Sequence, residues 1–224
     1  MIGDHRTITI ITIYQMRNLS MAERKYDQSL RIRTVGMREW RNGTVRYHRY
    51  EATPYKALDR LFQVYKLNES DKVVDFGCGR GRVSFYIHHR FQIPVTGIEV
   101  HEKTYEEALH NKGSYRQQTG HIHAPIRLKY GLAEQYEIKE TDNTFYFFNP
   151  FSIEIFREVV ENILQSVQEK PRTVDIILYY PVAEYKQFLQ MHTPFKLINK
   201  VTVPGATQKK EKFLIYRLKD NQTG

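Results

Sequence analysis

Residues 73–81 read V-V-D-F-G-C-G-R-G: a short β-branched run, an acid, then a glycine at every second position. Val73 to Phe76 suit a strand buried on both faces, the kind found inside a parallel sheet. Gly77, Gly79 and Gly81 suit a tight turn that leaves its backbone open to another molecule. A following helix would point free N–H groups and a partial positive charge into the same space. Such a strand–loop–helix places a ligand at the carboxyl edge of the sheet. The spacing is G-x-G-x-G, and Arg82 stands where a dinucleotide loop has its third glycine. The G-K-[ST] ending of a phosphate loop is also missing from this stretch. Asp75 would repel a phosphate and accept hydrogen bonds from a cationic or hydroxyl-bearing ligand.

From Asp71 onward the pattern alternates. It predicts strands at 72–76, 94–99, 125–130, 144–148 and 173–180, and helices at 81–90, 102–112, 152–168 and 182–191. In the third of these helices Phe156, Val159, Val160, Ile163, Leu164 and Val167 share one face. Two closing strands, about 195–203 and 212–219, form an antiparallel hairpin at one end of the sheet. The fold class is therefore α/β, a mostly parallel sheet with helices on both faces. Upstream, Asn42-Gly43 signals a hairpin, and Thr53-Pro54 predicts a helix start with Thr53 as cap. Three parts are expected: 1–20, a non-core extension; 21–50, a small N-terminal appendage or lid; and 51–224, the main domain.

The size of 224 residues and the 41% hydrophobic content suit one α/β domain with a substantial core. The net charge of +9 is uneven. Residues 1–50 hold 10 Lys or Arg against 4 Asp or Glu, and residues 196–224 hold 7 against 2. Basic flanks around a near-neutral body suit RNA or another anionic macromolecule, and equally a merely well-solvated surface. A single cysteine, Cys78, excludes an intrachain disulfide and fits a cytoplasmic setting. No apolar run reaches the length of a membrane span.

Two later points agree with the loop. Glu99 ends the next predicted strand, 24 residues beyond Asp75, where a carboxylate can take both hydroxyls of a ribose. Asn149-Pro150-Phe151 directly follows the apolar strand T-F-Y-F-F. There an Asn oxygen and the neighbouring carbonyls can accept hydrogen bonds from an amino group, and Phe151 offers a flat face to an aromatic or cationic group.

V-V-D-F-G-C-G-R-G with Glu99 resembles motif I and the ribose-binding acid of the class I S-adenosylmethionine-dependent methyltransferases. N-P-F is similar to the N-P-P-[FY] of relatives that methylate amino nitrogens. The resemblance covers about residues 50–219. It implies a Rossmann-like, seven-stranded sheet, S-adenosyl-L-methionine as cofactor, and transfer of methyl to a nitrogen of RNA, protein or a small amine. By position it implies that Asp75 and the loop Phe76, Gly77, Cys78, Gly79 and Gly81 hold the methionine moiety. Glu99 would hold the ribose and Val100 would pack on adenine, with Asn149, Pro150 and Phe151 at the reacting nitrogen. Leu132 stands where many relatives carry an adenine-binding acid, which leaves Glu134 or a backbone carbonyl for that task.

Other readings remain. A non-catalytic S-adenosylmethionine-binding module could recruit a nucleic acid through the basic ends. An aminopropyl-transferring relative would need acids after the fourth strand, and N-P-F supplies none. His121 and His123 lack a third ligand nearby, so no metal is expected. Tyr47, Tyr50 and Tyr55 could roof a ligand or pack the appendage.

Overall fold

A computed structural model describes residues 21–36, 46–48, 51–206 and 208–220. The segment 1–20 and the Asn42-Gly43 hairpin lie outside the described residues. Seven strands form one sheet: β1 (Val73–Phe76), β2 (Val95–Glu99), β3 (Ile126–Tyr130), β4 (Thr144–Phe147), β5 (Val174–Tyr179), β6 (Lys196–Thr202) and β7 (Lys212–Leu218). Their spatial order is β3-β2-β1-β4-β5-β7-β6. The first five strands run parallel, and β7 pairs antiparallel with both β5 and β6. The reversal falls where the short final connection forbids a crossover helix.

The helices are α1 (21–29), α2 (Tyr55–Val64), α3 (Arg82–Phe91), α4 (Glu102–Gln118), α5 (Ile153–Glu169) and α6 (Ala183–His192). Two apolar clusters pack the two faces of the sheet. One gathers α2, α3 and part of α4 over Val73, Val95, Tyr146 and Ile177; the other gathers α5 and α6 over Val74, Phe145, Phe147 and Ile176. Alternate residues of β1 and β4 enter opposite clusters, as the two-residue period of a strand requires. Among the described residues no helix is long and apolar enough to cross a membrane.

Two local expectations differ. Helix α4 runs six residues past its predicted end, straight through Gly113. A helix-interior glycine costs about 1 kcal/mol. Tyr115 lies in the added turns, fully buried, with its hydroxyl 2.7 Å from His88 Nδ1, and its burial outweighs that cost. Thr53 does not cap α2; Pro54 occupies that position, and Thr53 Oγ1 instead meets the Tyr146 hydroxyl at 2.8 Å. The free N–H of Tyr55 at this helix start is taken by Glu23 Oε1 at 3.1 Å.

Residues 21–36 pack on the main domain. Leu30 and Ile32 enter the core beside α2 and α3. Helix α1 ends in a Schellman turn: Arg31 N–H donates to Gln28 O and Ile32 N–H to Asp27 O. Arg31 therefore sits at the position usually given to glycine, with φ of 53°.

Candidate active site

The glycine loop, Glu99 and N-P-F converge at the carboxyl ends of β1, β2 and β4. One cleft there is lined by Gly77, Ile98, Glu99, Val100, Gly131, Ala133, Phe148, Pro150 and Phe151, with Tyr47, His48 and Glu51 at its other wall. Backbone pairing fixes the loop: Gly77 N–H and Cys78 N–H both donate to Ile98 O, at 3.0 and 2.9 Å. Gly77, Gly79 and Gly81 all have positive φ, at 72°, 58° and 88°. A Cβ on Gly77 would overlap Pro150, so motif and N-P-F touch through this one glycine. A Cβ on Gly81 would lie 2.5 Å from the Phe85 ring. Gly77 and Gly81 are demanded by conformation and by space together, Gly79 by its conformation.

Glu99 is buried at the cleft. Its Oε2 accepts from Gly79 N–H at 2.9 Å and its Oε1 from His101 N–H at 2.8 Å. Burial raises its pKa, and those backbone donors oppose the rise. Each oxygen keeps a lone pair for a further donor.

Asp75 occupies a different place. It is buried behind the loop, accepts a 2.7 Å bond from Ser84 Oγ, and is not among the residues lining the cleft. Burial pushes its pKa up to about 7; Ser84 opposes this and the Glu99 charge adds to it. Cys78 is buried, its thiol pushed well up by burial and then by the charges of Asp75 and Glu99. Its side chain fills the space a Cβ on Gly97 would need. Phe76 stacks on Phe147 in the core, 5.1 Å between centroids. Only its backbone is available to the loop.

Asn149 has φ of 41°, left-handed for a residue with a side chain. Its Oδ1 is buried and has no hydrogen-bond partner among the described residues. A left-handed backbone and an unpaired buried acceptor thus meet in one residue. The two adjacent carbonyls are engaged: His48 N–H donates to Pro150 O at 2.9 Å, and His48 Nδ1 meets Asn149 O at 2.8 Å. Ser152 N–H donates to Arg46 O at 2.7 Å, and Tyr47 bridges antiparallel to Phe151. Residues 46–48 thus strap N-P-F from about a hundred positions away.

No local pattern in the sequence marks this strap. The aromatic Tyr47 was its one signal. The Tyr47 hydroxyl donates to Glu134 Oε2 at 2.6 Å, so Glu134 is turned to Tyr47, while Gly131 and Ala133 line the cleft beside it. Tyr55 does not reach the cleft; it stacks on Tyr26 at 4.5 Å behind α3. Tyr50 lies outside the described residues.

Sheet order, reversed β7, glycine loop and strand-end acid together define the fold of the class I S-adenosylmethionine-dependent methyltransferases. No protein-family model matches the chain. A protein-lysine N-methyltransferase of Saccharolobus islandicus is 33% identical over 63 residues, which are 28% of this chain and 39% of that protein. The match thus spans well under half of that curated relative. An RNA methyltransferase from Salinibacter ruber, solved with S-adenosyl-L-homocysteine, superposes with a TM-score of 0.50 at 15% identity, over 76% of this chain and 94% of its own. The tRNA (uracil-54, C5)-methyltransferase of Pyrococcus abyssi, also solved with S-adenosyl-L-homocysteine, gives 0.51 at 15% identity, over 75% and 39%. At such identities the likeness is one of fold.

Proposed function

We propose that this chain is an S-adenosylmethionine-dependent methyltransferase acting on a nitrogen, in RNA, a protein or a small amine. The carrying observation is Asn149: a strained residue with an unpaired buried Oδ1, pressed through Pro150 against the first glycine of the loop.

The residues fit the cofactor. Glu99 takes the ribose hydroxyls with the lone pairs left over from Gly79 and His101. Val100 packs on the adenine, and Gly131 and Ala133 line the same wall. The loop backbone from Phe76 to Gly81 faces the methionine moiety. Asp75 acts on that moiety through the loop, which it anchors by way of Ser84. S-adenosylmethionine supplies an electrophilic methyl group on a sulfonium. The protein's own task is approach and orientation in a dry cleft. Asn149 Oδ1 accepts a hydrogen bond from the acceptor nitrogen and so turns its lone pair toward the methyl. Phe151 is buried beneath, and its ring meets Tyr47 edge-on at 5.9 Å.

We also read 51–224 as the methyltransferase domain and 21–50 as its lid or platform. A cytoplasmic setting suits the buried thiol of Cys78. The test is transfer of labelled methyl from S-adenosylmethionine to fractionated cell extract. Label should enter one class of acceptor, and Asn149→Ala should abolish it at unchanged affinity for S-adenosylhomocysteine. Equal labelling by the variant would remove Asn149 from the chemistry, and no labelling at all would leave a binding module.

A further inference from the structure

A second concavity lies away from the cleft, between the end of α1, residues 31–35 and one face of α4. Arg24, Arg31 and Arg33 line it together with His110 and Gln117. All five are exposed, and none of the three arginines makes an ion pair with another described residue. Among the described residues the one carboxylate lining it is Asp27, which is buried and committed. Its oxygens accept from Thr34 Oγ1, Thr34 N–H, Val35 N–H and the Tyr55 hydroxyl. Among the described residues the groove therefore presents three guanidiniums with no opposing free acid.

Its rim is rigidly tied to the glycine loop. Asn111 accepts from Arg33 N–H at 2.9 Å and donates to Arg33 O and Arg80 O at 3.2 and 3.0 Å. Arg80 in turn donates to Val35 O at 3.1 Å. A chain lying in the groove is thus held beside the loop that borders the cleft. Arg31 adds a second observation. It keeps a charged side chain at the left-handed turn of a Schellman motif, where glycine would carry no strain. Arg31 therefore projects an exposed guanidinium into the groove from a backbone position that glycine would hold with less strain.

We infer that this groove binds the phosphodiester backbone of a nucleic acid, through Arg24, Arg31 and Arg33. Planar guanidiniums suit phosphate oxygens, and the amide of Gln117 suits sugar hydroxyls. Concavity disfavours a flat membrane surface. The inference stands whether or not the cleft transfers a methyl group, and its test reads a separate quantity.

The full chain is titrated into fluorescein-labelled single-stranded RNA and DNA of about 20 nucleotides, from about 50 to about 200 mM salt. Arg31→Glu/Arg33→Glu should weaken binding at least tenfold and lower the salt slope by about 1.4, the share of two single-strand phosphate contacts. Affinity for S-adenosylhomocysteine should stay unchanged in the same variant. A preference between RNA and DNA identifies the source of the backbone, and either supports the groove. Arg31→Gly separates binding from folding: it should raise Tm by relieving the turn while weakening RNA binding. An Arg31→Gly protein that is more stable and binds as before would overturn the inference. So would wild-type binding with an undiminished slope in the double variant, no binding at low salt, or equal affinity for polyglutamate of matched charge.

Discussion

Two buried polar constellations flank the glycine loop, and they are built on opposite rules. Behind the loop, Arg82 donates from Nε to Thr34 Oγ1 at 2.6 Å and from Nη1 to Thr53 O at 3.2 Å. It also pairs with Glu23, lies 3.7 Å from Asp27, and stacks over Tyr55 at 4.5 Å. Every charge there is answered. On the side of Glu99 and N-P-F, Asn149 Oδ1 is buried without a partner among the described residues, though Asn149, like Asp75, is not among the cleft-lining residues, and Glu99 accepts from two backbone N–H groups. A saturated network specifies one arrangement of α1, α2 and α3. An unsaturated one costs stability and leaves capacity for a ligand. The contrast divides the surroundings of the loop into a side whose polar groups are all paired and a side that keeps acceptors open.

Breaking the saturated side should have the largest effect. Arg82→Met strands Glu23 and Asp27 in the core, and loss of one partner from such a buried pair costs about 3–5 kcal/mol. Urea unfolding should show that loss in the midpoint. A shift under about 1 kcal/mol would mean that the network contributes little to holding 21–36 on the domain.

Asp75 is also buried behind the loop, and its effect is one of pH. Its folded pKa of about 7 lies above the ordinary 3.8, so the native state holds a proton that the unfolded chain has released. Its stabilising contribution is full below pH 3.8 and is lost as pH rises through about 7. The loss is on the order of 4 kcal/mol from burial of the charge. Asp75→Asn, which keeps an acceptor for Ser84, should flatten this component between pH 4 and 7. Parallel pH curves for the two proteins would show that Asp75 is ionised throughout.

On the binding side, Glu99→Gln should weaken S-adenosylhomocysteine by about 2 kcal/mol, the value of a hydrogen bond to a charged group. Calorimetric titration reads it, with Tm as the control for the fold, because the amide oxygen can serve only one of Gly79 N–H and His101 N–H. An unchanged affinity would separate Glu99 from the ribose.

The cleft side was more legible in the sequence than the saturated side. Glycine spacing, the acid ending β2 and N-P-F after β4 are local features, and the alternation of strands and helices brings them to one sheet edge. Gly77, Glu99, Val100, Pro150 and Phe151 indeed share one cleft. The saturated side is built from pairs far apart in the chain, such as Arg82 with Glu23. No periodicity names the partner of a buried arginine. The strap of Arg46, Tyr47 and His48 across N-P-F was hidden for the same reason. Thr53 reads as a helix cap on local grounds, yet a buried tyrosine hydroxyl claims its side chain. Asp75 reads as a ligand residue by its place beside the glycines. Only packing shows that Ser84, one turn into α3, holds it behind them.

The smallest expected effect is the most informative about the contrast. Asn149→Gly removes the side chain at a φ of 41°, where glycine is unstrained, and removes the unpaired buried oxygen at the same time. On the saturated side every truncation destabilises. Here two unfavourable features leave together, so stability should rise by about 0.5–1 kcal/mol. Methyl transfer should fall while affinity for S-adenosylhomocysteine holds, because Glu99 and the loop are untouched. Tm and turnover moving in opposite directions would place Asn149 on the side that keeps acceptors open for a ligand. A fall in both would return it to the scaffold, with Oδ1 serving the strap of residues 46–48 instead of an acceptor nitrogen.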